Sequence, residues 1–234
     1  MQQLIRRPLD GVVACIAHST RADGDLSPSN VEPVLLAERR ARAVAADWHA
    51  VHQVHSDRVI RIDEVIEPSA ERPRADALIT SRPGLALAVH SGDCIPVGFV
   101  SDGGAVAAAH AGWKGLEAGV LESTVRALRA EHSDASIIAA VGPHIRKHQY
   151  EFGEQDLARL AQRFGSDVVA TTATGSPALD LTAAVTAELA RLGLAVEVLS
   201  PDCTATDDAQ YWSHRARQER GRIALVAWLE RSPS

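Results

Sequence analysis

The feature that most constrains this chain is the interleaving of two hydrophobic patterns along its length. Short, nearly continuous apolar runs bounded by Gly, Pro, Asp or Ser occupy residues 11–17, 77–80, 85–90, 96–100, 105–110, 137–141, 195–199 and 223–228. Runs of that length and framing read as strands with little solvent contact. Between them the period changes to that of a helix. Leu116, Val120, Leu121, Val125 and Leu128 share one face, as do Leu157, Leu160, Ala161 and Phe164, and again Leu181, Val185, Leu189 and Leu192. The last set is closed by Gly193 as a C-cap, and an earlier helix is expected over residues 34–46.

No Pro/Gly-rich stretch is longer than a turn, so residues 1–234 read as a single α/β domain. Strands cluster between residues 77 and 110 instead of alternating strictly with helices. A single-domain layered sandwich with a mixed β-sheet core therefore fits better than a doubly wound parallel sheet. Neither G-x-G-x-x-G nor G-x-x-x-x-G-K-[ST] occurs, which removes the sequence basis for a dinucleotide-binding or P-loop enzyme.

Net charge is −6 with no basic block, which speaks against nucleic acid as a partner and against anionic lipid. No apolar run approaches the roughly 18 residues of a membrane span, and the N-terminal segment lacks a signal-peptide core, so a cytoplasmic protein is expected. Cys15, Cys94 and Cys203 are too few and too scattered for a disulfide framework.

Three stretches pair ligand-capable side chains with small residues: His52-Gln53-Val54-His55-Ser56-Asp57, His90-Ser91-Gly92-Asp93-Cys94-Ile95-Pro96, and His110-Ala111-Gly112-Trp113-Lys114-Gly115. The third opens into a helix, whose free N–H groups suit an anion such as phosphate. Their imidazoles, thiol and carboxylates suffice for a metal centre or for a Cys/His nucleophilic pair, and the long spacing between them does not choose.

The wording and order of these stretches resemble the YfiH-like family, also called laccase-domain or polyphenol-oxidase-like proteins and now purine nucleoside phosphorylases. The resemblance runs from Ser19-Thr20-Arg21 through Glu38-Arg39-Arg40, Gln53-Val54-His55, Asp76-Ala77, Asp93-Cys94-Ile95-Pro96 and the 110–115 stretch to Cys203-Thr204 and Ser213-His214-Arg215. It implies a fold related to cysteine-hydrolase-like architecture and one Zn2+ held by His55, Cys94 and His110, with the fourth position open. It also implies phosphorolysis of purine nucleosides, with adenosine deaminase and methylthioadenosine phosphorylase activity beside it. Asp93, Cys94 and His110 are then the catalytic candidates, with Asp93 as proton donor to the leaving base. Arg39, Lys114 and Arg215 become candidates for phosphate or ribose contacts. The second imidazole nitrogens need acceptors, for which Asp57 and Asp76 are available.

Lys147-His148-Gln149 stands where relatives carry a second thiol site, and the missing sulfur makes copper less fitting than zinc. A metal-independent cysteine hydrolase or amidase using Cys94 and His110 is the alternative. A copper-dependent polyphenol oxidase and a non-catalytic binding protein are further ones. His90, His144 and His148 are extra imidazoles near the same runs, expected mainly as capping or surface groups.

Overall fold

The computed structural model describes residues 1–65 and 71–232. The chain begins with β1 (Gln2–Pro8), β2 (Val12–His18), α1 (Pro33–Ala43), β3 (Asp47–Ala50) and β4 (Val59–Arg61). It continues through β5 (Ala77–Thr80), β6 (Leu85–Ser91), β7 (Ile95–Ser101), β8 (Ala105–Ala111), α2 (Trp113–Ala118) and α3 (Val120–Glu131). Then come β9 (Ile137–Val141), α4 (Glu154–Phe164), β10 (Val169–Thr171), β11 (Pro177–Leu179) and α5 (Leu181–Arg191). β12 (Ala195–Leu199), α6 (His214–Arg217) and β13 (Ile223–Arg231) complete the order.

One sheet runs β1-β2-β13-β6-β3 and a second runs β12-β9-β7-β8-β5-β4, while β10 and β11 form a separate pair. Both large sheets are mixed, because β3 lies parallel to β6, β4 to β5 and β12 to β9 among otherwise antiparallel neighbours. The α/β class expected from the sequence is therefore present.

Strand alternation explains how the layers stack. On β6, Leu85, Leu87 and Val89 join a buried cluster with Ile16, Leu225 and Leu229 of their own sheet and Leu78, Val100, Val106 and Ala108 of the other. Their intervening neighbours Ala86 and Ala88 turn to the opposite face, with Leu26, Val44 and Trp48. The second sheet repeats the rule: Ile95, Val97, Phe99, Ala107 and Ala109 pack against Leu121, Val125, Leu160 and Leu189 of the helices. Each fully buried Leu contributes roughly 1.5–3 kcal/mol by transfer from water.

The structure departs from the sequence reading in one helix and five strands. The single helix expected through Leu116 and Leu128 begins earlier, at Trp113, and is broken into α2 and α3 at Gly119, whose φ of 100° suits glycine. The loop expected to hold an anion is accordingly the first turn of α2. β1, β3, β4, β10 and β11 went unread. β1 is an edge strand with only Leu4 and Ile5 as an apolar pair between polar neighbours, and the other four have only three or four residues each.

Candidate metal centre

Three chain segments bring His55, Cys94 and His110 together. One ligand atom from each lies within 4.8 Å of the other two. His110 is the penultimate residue of β8, so by alternation it shares a face with Val106 and Ala108 and is 4% exposed. Cys94 sits in the tight turn from β6 to β7. His55 lies in the loop after β3 with φ 59°, a left-handed conformation that has to be held.

Asp76, immediately before β5 and fully buried, does the holding. Its carboxylate accepts from the backbone N–H of Val54, His55 and Ser56, at 3.2, 2.9 and 2.6 Å, and from the Ser56 hydroxyl at 2.9 Å. The same carboxylate takes the His110 Nδ1–H at 3.0 Å, and the Asp76 carbonyl accepts the His110 backbone N–H at 2.7 Å. One side chain thus fixes the loop of one imidazole and the tautomer of the other, leaving His110 Nε2 free for a ligand. Of the two carboxylates considered from sequence, Asp76 fills this role, while Asp57 is exposed.

His55 Nε2 lies 3.8 Å from Cys94 Sγ, and the two imidazole rings meet edge to face with centroids 4.9 Å apart. Gly112 closes the third side. A Cβ there would lie 2.5 Å from His55 Cδ2 and 3.0 Å from Cys94 Sγ, so only glycine lets the start of α2 approach both. His55 is exposed, Cys94 half-buried and His110 buried, which leaves the cluster open on the His55 side.

Burial by itself would push the Cys94 thiol up. The His110 charge and hydrogen bonds from His110 and His55 outweigh it and hold the thiol well below its ordinary value. Burial likewise disfavours a charged His110, yet Cys94 and Asp76 raise it well above an ordinary imidazole. Hydrogen bonds from His110 and Ser56 overcome burial at Asp76 and keep it ionised. A thiolate and two imidazole nitrogens converging with one side open are a donor set that fits zinc, and in chemical softness also copper(I).

The other candidates surround this cluster unequally. Asp93 has φ 128°, and its Oδ1 accepts from the Thr204 and Ser213 hydroxyls, both at 2.7 Å. Its Oδ2 accepts the Arg215 backbone N–H at 2.6 Å. These partners, 111 to 122 residues further along the chain, carry no signal in local sequence. Arg215 lies over the Tyr150 ring at 4.7 Å and donates to the Glu151 carbonyl. Lys114 is exposed on α2, with Nζ 5.3 Å from the centre of the Trp113 ring, and Trp113 packs edge-on against Phe152. Arg39 on α1 donates to the Asp25 carbonyl at 3.0 Å, bracing the turn before that helix.

The extra imidazoles stand apart from the cluster. His90 bonds the Leu26 carbonyl through Nε2, and His144 is satisfied on both nitrogens by Gly142 O and Thr182 Oγ1. His148 lies exposed in a short 3-10 turn.

An α/β scaffold of two mixed sheets thus presents on strand ends and loops a His-Cys-His cluster compatible with a metal site. Residues 24–230 match the family described as multi-copper polyphenol oxidoreductase laccase, and the chain belongs to that family. It is 40% identical over 185 residues to purine nucleoside phosphorylase SCO2081 of Streptomyces coelicolor, covering 77% of this chain and 74% of that one. It is 34% identical to purine nucleoside phosphorylase YfiH of Escherichia coli, covering 94% of each. Among solved structures, Neisseria meningitidis NMB0706 superposes with TM-score 0.79 at 26% identity, covering 98% of this chain and all of that one. Geobacillus stearothermophilus YlmD shares the fold with TM-score 0.78 at 24% identity, covering 95% and 93%.

Proposed function

We propose that this protein is a zinc-dependent purine nucleoside phosphorylase. The observation that carries the reading is the convergence of His55, Cys94 and His110 under the control of one buried carboxylate, in a chain whose relatives bear that name. Zinc held by these three atoms would supply Lewis acidity to an oxygen ligand at its open position.

In phosphorolysis a phosphate oxygen bonds to the ribose anomeric carbon as the glycosidic C–N bond breaks, and the purine leaves with a proton. Lys114 and Arg215 would bind the phosphate, and the aromatic row of Trp113, Phe152 and Tyr150 would support a purine face. Arg39 acts at one remove, through the turn it braces. Asp93 either donates the proton or positions Arg215. Asp93→Asn separates the two roles, because a proton donor's loss removes the alkaline limb of the pH profile whereas a positioning residue's loss raises KM. Adenosine deaminase and methylthioadenosine phosphorylase activity belong to the same proposal, and all of it suits a cytoplasmic enzyme acting on small molecules.

The test combines elemental analysis of protein purified without added metal with a purine nucleoside panel assayed with and without phosphate. One zinc per chain and phosphate-dependent release of free base are expected. Metal-free protein with full phosphorolysis overturns the zinc assignment.

The polarised Cys94–His110 pair favours a second reading, a metal-independent cysteine hydrolase, in keeping with the expected kinship to cysteine-hydrolase-like architectures. Iodoacetamide inactivation of metal-free protein, with hydrolysis but no phosphorolysis, distinguishes it.

A further inference from the structure

At the β3 edge of the first sheet, α1 and the loop before it leave a cavity of about 400 Å³ that also reaches Ile62 and Leu78 on the second sheet's side. That volume is within the range of small-molecule sites. Its walls are mostly apolar, with Val31, Leu36, Ile62 and Leu78 prominent, and none of the three cluster ligands lines it. Two guanidiniums, Arg40 and Arg72, share this largely apolar space.

Neither arginine has a carboxylate within ion-pair distance among the described residues. Arg40 spends one amino group on the Leu26 carbonyl and lies over the Trp48 ring at 5.1 Å, while Arg72 reaches only the Ser29 hydroxyl. The shielded Nε of Arg40 has no hydrogen-bond partner among the described residues. His49, which also lines the cavity and is 4% exposed, has its Nε2 unpartnered too. Buried polar groups are ordinarily satisfied, so this concentration marks a place completed by something else. Burial, and then the charge of Arg72, depress Arg40 to about 10, the behaviour of a cation lacking a counter-charge. Asp47 is the one carboxylate in the lining among the described residues, and it is exposed.

We propose that this cavity is a second binding site, for an organic anion that carries one acidic head group on an apolar body. The head group seats between Arg40 and Arg72, where a planar fork meets two oxygens well, and the body lies along Leu36, Ile62 and Leu78. The inference is independent of the metal centre, since neither needs the other to be correct.

The probe is 8-anilinonaphthalene-1-sulfonate, an aromatic body with a single sulfonate, titrated by fluorescence against the full chain. Saturable binding of one probe per chain is expected, weakened at least tenfold in the double variant R40Q/R72Q. Ala41 lines the cavity from an exposed position on α1, so Ala41→Phe fills the space without disturbing the core. That variant is expected to abolish binding and leave nucleoside turnover unchanged. Octanoate is expected to displace the probe and uncharged octanol to fail. Probe binding of equal strength in wild type, the double variant and Ala41→Phe, or equal displacement by octanoate and octanol, overturns the proposal.

Discussion

His110 and His144 are both buried imidazoles at or just beyond a strand of the same sheet, and they behave in opposite ways. His110 faces a carboxylate and a thiol, which raise it well above the ordinary imidazole despite its burial. His144 meets a carbonyl and a hydroxyl, so burial and the nearby Arg146 charge depress it to about 3. One is a proton-holding site that a metal ion can take over, because binding there displaces a proton from a polarised group. The other is a neutral link from its own loop to α5. Burial makes an imidazole's charge costly, and only its facing partners decide whether that charge is kept.

The strongest test of this contrast is to remove the ligand. His110→Ala is expected to lose bound zinc by elemental analysis and to lower kcat/KM for nucleoside phosphorolysis on the order of a thousandfold, a Lewis acid being worth several kcal/mol. Near-normal turnover in that variant would erase the distinction between the two histidines.

Asp76→Asn comes next. An amide retains one acceptor oxygen but turns an N–H toward donors already converging on Asp76, so the His55 loop and the His110 tautomer both loosen. Zinc affinity measured by competition with a chelator is expected to fall about 10–100-fold. Gly112→Ala tests shape alone, since φ −65° and ψ 158° suit alanine while its Cβ would strike His55. A loss of roughly tenfold in affinity is expected with unchanged thermal stability, near the low end of supporting-residue effects.

The neutral imidazoles give the smaller effects. His90 and His144 are both depressed to about 3, against about 6.5 in an unfolded chain. Between those values the unfolded state binds protons that the folded state refuses, so stability falls as pH drops from about 6.5 toward 3. Each contributes a slope of at most about 1.4 kcal/mol per pH unit. His144→Gln, which keeps a donor and an acceptor without titrating, is expected to flatten the decline in urea midpoint between pH 6 and pH 4. An unchanged slope would mean His144 is not held neutral. His148→Ala, exposed and away from the cluster, is expected to change neither zinc content nor stability by more than about 0.5 kcal/mol.

Much of the scaffold was readable beforehand. The runs at 137–141 and 195–199 coincide with β9 and β12, but only β9 is buried as expected, since β12 is an edge strand whose residues stay half-buried or exposed. The break at Gly119 was not readable, since the apolar stripe continues through it and only the backbone's left-handed turn reveals two helices. His55, Cys94 and His110 stood out by their motifs. The choice of Asp76 over Asp57 as their support did not, and neither did the attachment of Asp93 to Thr204, Ser213 and Arg215.

Residue order and hydrophobic period determined the α/β class and most strands, because those depend on neighbours a few positions away, while the family resemblance singled out His55, Cys94 and His110. Tertiary structure decided which carboxylate faces which imidazole, and which histidine keeps its charge. It also decided that two arginines share a largely apolar cavity with no carboxylate partner among the described residues. Those outcomes depend on contacts between distant segments, which electrostatics in a poorly solvated interior amplifies and local sequence does not encode.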